Sequence, residues 1–198
     1  YGRGRFMKHT ILILNAPPFA GKDTIANVLA DEYGFRKHEF KKPLLDIAIA
    51  ITQLEEEEFL DIYNDRHFKE QQSAKFLNLS PRDLMILISE KMCKPNFGKD
   101  YFGKLAVNSV KRSIELTGGD LHVFSDGGFL EEVLPLAETF GKDSVKVVRF
   151  YRETARKDFG SDSRTFIDAR EHGVFTSNIL HNDRTPYLFC EKIISLLA

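Results

Sequence analysis

The sequence contains no apolar run approaching the roughly 20 residues that a membrane-spanning helix needs, and no secretory signal is visible. Net charge is nearly absent: 28 lysines and arginines against 29 aspartates and glutamates leave a formal −1. A protein that coats duplex nucleic acid is usually far more basic, so any anionic ligand has to be met by a local basic cluster. Cysteine is scarce. Cys93 and Cys190 stand far apart without metal-ligand spacing, and they read as two free buried thiols in a reducing cytoplasm. The six histidines occur singly, none spaced from another as metal ligands are. There is no repeat, linker or low-complexity block.

What is present fits one globular domain. With 198 residues, 42% apolar and 29% charged, the chain has material for a sizeable core and the balance of a soluble protein. Tyr1–Phe6 have no periodicity and precede Met7; they are expected to be an appended leader, with Met7 as the natural start. Thr10–Leu14 is a short, continuous apolar run, which predicts a strand buried on both faces of a parallel sheet. A loop with glycine and proline follows from Asn15 to Gly21. Ile25, Val28, Leu29 and Tyr33 then recur at helical spacing up to Gly34. Phe35–Phe40 reads as a short second strand, and Pro43 opens a helix bearing Leu44, Leu45, Ile47, Ala48 and Ile51. Glu55–Glu58 reads as a solvated helix face.

Ser80-Pro81-Arg82-Asp83 has the form of a helix start with Ser80 as N-cap. Pro95-Asn96-Phe97-Gly98 is expected to break the chain before a helix over 100–116. Strand candidates follow at 121–124, 144–151 and 174–180, with helices over 129–140 and 186–197. This alternation predicts an α/β three-layer sandwich around a parallel sheet of about five strands. The helical stretch 43–117 is too long for a simple crossover and is expected to form an inserted region. The core is then 7–42 with 118–198, and the polar residues 152–170 read as a lid segment.

The first loop holds the chemistry. Ala16-Pro17-Pro18-Phe19-Ala20-Gly21-Lys22-Asp23-Thr24 approaches the P-loop pattern G-x-x-x-x-G-K-S/T. Ala16 replaces the first glycine, which implies that position 16 needs no positive φ. Asp23 stands where serine or threonine is usual, and Thr24 comes one residue later. In such a loop the backbone N–H groups around Ala16, Ala20, Gly21 and the helix start point at phosphate oxygens. Lys22 reaches the terminal phosphates as a point charge. Mg²⁺ takes oxygen ligands, here the Thr24 hydroxyl and Asp23, directly or through water. These residues read as an ATP site.

Asn15–Thr24 resembles the G-K-D-T type of P-loop in bacteriophage deoxynucleoside monophosphate kinases. Further segments match that family in order along most of the chain. Lys42-Pro43-Leu44 resembles its Pro-Leu-Lys-like segment after the second strand. Ser80-Pro81-Arg82 resembles its S/T-P-R helix start. Phe97–Phe102 resembles its F-G-x-D-x-W/F segment, with Asn108 near the family's asparagine. Ser125–Phe129 resembles an S-D-x-R-F element, and Asn182-Asp183 a late N-D-G turn. Two positions depart from the pattern: Gly128 replaces the arginine of S-D-x-R-F, and Arg184 the glycine after Asn-Asp.

The resemblance implies a nucleotide monophosphate kinase-like fold with a helical acceptor-binding region and an arginine-bearing lid. It implies transfer of phosphate from ATP, with Mg²⁺, to a deoxynucleoside monophosphate, and it is compatible with a homodimer. The location is then cytoplasmic, in the host if the chain is phage-encoded, with no nucleic-acid or membrane partner. Lys22 is the leading catalytic residue. Asp126 holds Mg²⁺ through water, orients the acceptor, or caps the next helix. Arg82, with Lys42 beside it in role, either binds the acceptor phosphate or is solvated. Arg152, Arg156 and Arg164 are lid candidates that close over the phosphates, or parts of a solvated segment. Asn182 and Asp183 lie near the adenine or form a plain turn. One or two of Phe97, Phe102 and Phe129 stack on the acceptor base, or they belong to the core with most of the other phenylalanines. Two alternatives stand beside this reading: a dephospho-coenzyme A kinase-like enzyme, and a P-loop protein that holds nucleotide without turning it over.

Overall fold

Thr10–Asn15 forms strand β1, and its apolar side chains alternate between two cores. Ile11 and Ile13 enter one, Leu12 and Leu14 the other, and all four are fully buried. Burial on this scale contributes roughly 1.5–3 kcal/mol per side chain. The computed structural model of the chain describes residues 9–65, 67–152, 159, 164–181 and 185–197. Among these, β1 joins β2 (Arg36–His38), β3 (Leu121–Phe124), β4 (Val145–Tyr151) and β5 (Phe175–Leu180) in one parallel sheet of order β2-β3-β1-β4-β5. The expected α/β class, with five parallel strands between helical layers, is what the chain adopts.

On one face, α1 (Lys22–Tyr33) and α8 (Pro186–Leu197) set Ile25, Leu29, Phe189 and Ile193 against Leu12, Leu14 and Val148. On the other, α6 (Tyr101–Thr117) and α7 (Leu130–Phe140) set Val107, Val110, Val133 and Leu136 against Ile11, Ile13, Val145 and Val147. The two helices on this second face approach closely. A Cβ on Gly103 would lie 2.8 Å from the Glu131 carbonyl oxygen and 2.9 Å from Pro135 Cγ. Pro135 has no N–H to offer that carbonyl. Among the described residues no helix is long and apolar enough to cross a membrane. Cys93 and Cys190 are free and buried; burial raises both thiols, Cys190 to about 11.

The second strand is shorter than the expected span 35–40, because both of its flanks are engaged elsewhere. Gly34 closes α1 in the left-handed region at φ 73°, and the Phe35 N–H donates back to the Leu29 carbonyl at 3.1 Å. At the other end the Phe40 N–H donates to Asp126 Oδ1 at 2.9 Å.

Described residues up to Phe40 and from Gly103 on make one compact unit, which contains the sheet; Lys41–Phe102 make a second. The second unit holds α2 (Lys42–Thr52), α3 (Glu56–Asn64) and a helical run that starts at α4 (Pro81–Ile86). Its interior includes Phe59 and Phe76, fully buried with ring centroids 5.1 Å apart. Ser80 caps α4, its hydroxyl oxygen accepting from the Asp83 N–H at 3.1 Å. The break expected over 95–98 falls at the end of that segment. The run widens into π-helical turns over Leu87–Cys93, with the Lys94 N–H reaching back five residues to Ser89. Pro95 then falls in the first turn of α5 (Lys94–Phe97), where its missing N–H is not needed. The chain turns only at Gly98, at φ 100°.

The sheet also gathers histidines that stand apart in sequence. His38 Nε2 lies 3.1 Å from His122 Nδ1, and His38 Nδ1 lies 2.9 Å from Ser109 Oγ. Burial, reinforced by the charge His122 would carry, pushes His38 down to about 4; burial lowers His122 too. Among the described residues no group of three or more His, Cys, Asp and Glu side chains could hold a metal. Because the fold opposes protonation of His38, this stability is complete above about pH 6.5 and falls as pH drops toward about 4. In urea unfolding at pH 7.5 and 4.5, His38→Gln is expected to lose less stability across the interval than the unaltered chain, by roughly 2 kcal/mol.

Candidate functional site

β1 lies between β3 and β4, and the chain leaves β1 toward β2 but leaves β3 toward β4. Open α/β sheets bind ligands at such a switch, outside the carboxyl ends of the strands. The register pairs Ile13 with Phe124, so the loops that begin at Ala16 and Ser125 emerge at the same edge.

In the first loop Ala16 and Ala20 are fully buried, and the Ala20 N–H donates to the Pro17 carbonyl at 3.3 Å. Ala16 is not among the positive-φ residues, as the replacement of glycine implied. Phe19, exposed at the tip, is in the left-handed region at φ 67°, which is costly for a bulky residue. Gly21 adopts φ 92°, ψ 22° and caps α1 without a side chain to offer. First-turn N–H groups of a helix have no partner within the helix, so an anion placed here would meet them. Lys22 folds back over the loop, Nζ donating to the carbonyls of Ala16 at 2.5 Å and Pro17 at 3.0 Å. Asp23 and Thr24 are exposed on the first turn of α1, and an Asp23 oxygen is 3.8 Å from Lys37 Nζ.

The second loop is tied to the first through Asn15. This fully buried side chain donates from Nδ2 to the carbonyls of Gly127 and Thr165, each at 3.0 Å. Its Oδ1 accepts from the Ile167 N–H at 2.8 Å. Asp126 is nearly buried and accepts from the Phe40 N–H, so it anchors the chain after β2. The Ser125 hydroxyl is buried without a hydrogen-bond partner among the described residues. Glu132 Oε2 accepts from the N–H groups of Gly128 at 3.1 Å and half-buried Phe129 at 3.2 Å, which fixes the start of α7. At Gly128, where the resembling family carries arginine, the side chain of Arg164 lies against the glycine itself.

The other expected site residues divide by unit. In the 41–102 unit, Lys42 Nζ donates to Asp46 at 2.7 Å and to Glu56 at 3.0 Å, and Arg82 donates to Glu70 at 3.2 Å. Phe97 is exposed and stacks on Tyr101 with centroids 4.9 Å apart, whereas Phe102 is buried. In the sheet unit, Asn108 is exposed on α6 and Arg152 is half-buried just past β4. Arg156, Asn182 and Asp183 lie outside the described residues. The structure therefore brings together the loop residues, Asp126, Phe129 and Arg164 within one unit.

The sequence reading named Asn15 only as the first residue of its loop. Its signal was a lone polar residue ending a fully buried apolar strand. A cavity of about 310 Å³, lined by Arg149, Tyr151, Phe166 and Asn178, was also missed. Arg149 and Asn15 are register partners on β4 and β1. Arg149 Nη1 is 3.8 Å from Asp168, whose carboxyl is held well below the usual range by hydrogen bonds from Arg170.

No protein-family model matches the sequence, and no curated protein does. Among solved structures, the chain is similar to a dephospho-CoA kinase from Campylobacter jejuni, at 13% identity and a TM-score of 0.41, over 93% of this chain and 95% of that one. It is similar at 12% identity and a TM-score of 0.40 to an uncharacterized protein from Eubacterium ventriosum, over 96% of this chain and 98% of that one. These are likenesses of backbone arrangement alone.

Asn15→Ala would leave a buried N–H and two carbonyls without their partner. It is expected to lower stability by about 2–4 kcal/mol in urea unfolding.

Proposed function

We propose that the chain is an ATP-dependent phosphotransferase whose acceptor is a deoxynucleoside monophosphate, with ADP and the deoxynucleoside diphosphate as products. The supporting observation is Lys22, folded over a loop that joins β1 to the N-terminus of α1 at the switch point of the sheet. Phosphoryl transfer asks a protein for position and charge neutralisation more than for covalent chemistry. On this reading the N–H groups of Gly21, Lys22, Asp23 and Thr24 hold the phosphates of ATP, with Ala16 and Ala20 shaping the loop. Lys22 exchanges two neutral carbonyl acceptors for charged phosphate oxygens.

The donor set near the loop is hard oxygen: the Thr24 hydroxyl with the carboxylates of Asp23 and Asp126. That chemistry suits Mg²⁺, which when bound would neutralise phosphate charge. Asp126 is fixed in direction by the Phe40 N–H. Arg152, Arg156 and Arg164 supply further positive charge, and Asn182 and Asp183 the adenine side.

The acceptor assignment rests on the segments that resemble the phage kinases. Arg82 and Lys42 would take the acceptor phosphate, and Phe97, Phe102, Asn108 and Phe129 the nucleoside. Binding there would displace the exposed pairs of Arg82 with Glu70 and of Lys42 with Asp46 and Glu56. Such pairs are worth about 0–1 kcal/mol each, so the displacement is a small obstacle.

An ADP-release assay over the common deoxynucleoside and ribonucleoside monophosphates, with dephospho-coenzyme A included, tests the reading. Turnover is expected with at least one deoxynucleoside monophosphate. Lys22→Ala is expected to lose at least about 100-fold in rate with the fold intact. Undiminished turnover by that variant would sink the assignment. ATP binding without turnover on any acceptor would leave a nucleotide-binding protein instead.

A further inference from the structure

We infer that Gly128 is a seat for Arg164, and that this seat holds the arginine beside the phosphate loop as a built-in anion-binding residue. The inference rests on the phosphate-site reading of the loop after β1. A Cβ added to Gly128 would meet Arg164 Cγ at 2.3 Å, Cδ at 2.5 Å and Cβ at 2.8 Å. These atoms are the stem of the side chain, not its mobile tip, so the arginine could not simply swing aside. Gly128 is not in the left-handed region, so its backbone accepts alanine; the obstruction is Arg164 itself.

The chain around Arg164 is held on the same spot. The Thr165 N–H donates to the Gly128 carbonyl at 3.2 Å. The Thr165 carbonyl and Ile167 N–H are both taken by Asn15, and the Ile167 side chain is buried in the core. Asn15 immediately precedes the phosphate loop, so Arg164 and Lys22 are referred to one rigid point. The missing side chain at 128 thus makes room for a guanidinium supplied from another segment. A planar guanidinium suits phosphate oxygens, which it can bind through two parallel hydrogen bonds. Gly128 and Asn15 are positioning residues here; Arg164 is the one that would touch the ligand.

The test is calorimetric titration of ATP with Mg²⁺, and separately of inorganic tripolyphosphate, into the full chain. The variants are Arg164→Ala, Arg164→Lys, Gly128→Ala, the Gly128→Ala/Arg164→Ala double variant and Lys22→Ala. Arg164→Ala and Gly128→Ala are each expected to weaken both probes by about tenfold or more, with Arg164→Lys between them and the unaltered chain. The double variant is expected to bind no more weakly than Arg164→Ala, because removing Cγ and Cδ relieves the two closest contacts and leaves only the 2.8 Å approach of Cβ. If Gly128→Ala alone does not fold, the double variant is expected to fold and to bind as Arg164→Ala does. Normal affinity in Arg164→Ala, or losses that multiply in the double variant, would overturn the seat. Lys22→Ala separates the two failures. If it also binds normally, the phosphate-site reading itself fails; if it alone is weakened, only the role of Arg164 does.

Discussion

The amide of Asn15 is where three distant stretches of chain are fastened together. It closes a strand whose preceding four side chains are fully buried, two in each core, so it enters the protein at a depth where no water can serve its polar atoms. Both of its functional ends are used, Nδ2 on two carbonyls and Oδ1 on one N–H. The partners belong to the loop after β3 and to residues 165–167. Neither segment forms a ladder with β1 at that point, so side-chain hydrogen bonds do what strand pairing does elsewhere. The asymmetry of buried hydrogen bonds makes the arrangement hard to replace piecemeal, since losing one partner strands the others. Whatever the edge of the sheet binds is therefore held against a frame that Asn15 sets.

That frame explains how the first loop manages with so little glycine. Ala16 can stand in the first glycine position because its backbone stays out of the left-handed region and its methyl is accepted by the core. Pro17 and Pro18 restrict the loop before folding, which lowers the entropy lost in closing it. The conformational demand is concentrated later, at Phe19 and Gly21, both at positive φ. Gly21 meets it without cost. Phe19 does not, and its ring is exposed, so core packing does not explain the strain.

Much of the fold was legible because its elements follow local rules. Thr10–Leu14 could be little else than a strand buried on both faces, and Gly34, Gly118 and Gly141 mark helix ends that the structure keeps, each at positive φ. The misjudgements arose where a local rule met a longer-range partner. Phe35 and Phe40 have strand-like side chains, but one N–H belongs to a helix cap and the other to a carboxylate 86 residues away. The break expected over 95–98 comes only at Gly98, because π-helical turns place Pro95 in a first turn, where proline is tolerated. The loop after β1 stood out because its spacing is contiguous. The fastening of Asn15, the pairing of His38 with His122 and the packing of Arg164 on Gly128 bridge 36 to 152 residues, and no periodicity encodes such contacts. The absence of arginine at position 128 was visible, but the side chain that fills its place was not.

Charge is organised in a way that bears on the proposed reaction. The chain is nearly neutral, and Lys22, Lys42 and Arg82, three of the cations assigned to phosphate binding, have acceptors of their own. Those acceptors are of two kinds. Lys22 donates to two carbonyls, so an anion arriving there replaces partial charge with full charge at a partly buried lysine, where screening by water is weak. Arg82 and Lys42 donate to exposed carboxylates, so a phosphate arriving there replaces one full charge with another in high dielectric. The net electrostatic gain thus falls on the loop and is nearly cancelled in the helical unit. An acceptor recognised through Arg82 and Lys42 would owe its selection to shape and hydrogen-bond geometry more than to charge. Stabilisation of developing charge on the transferred phosphoryl group would come from the sheet edge that Asn15 holds in place.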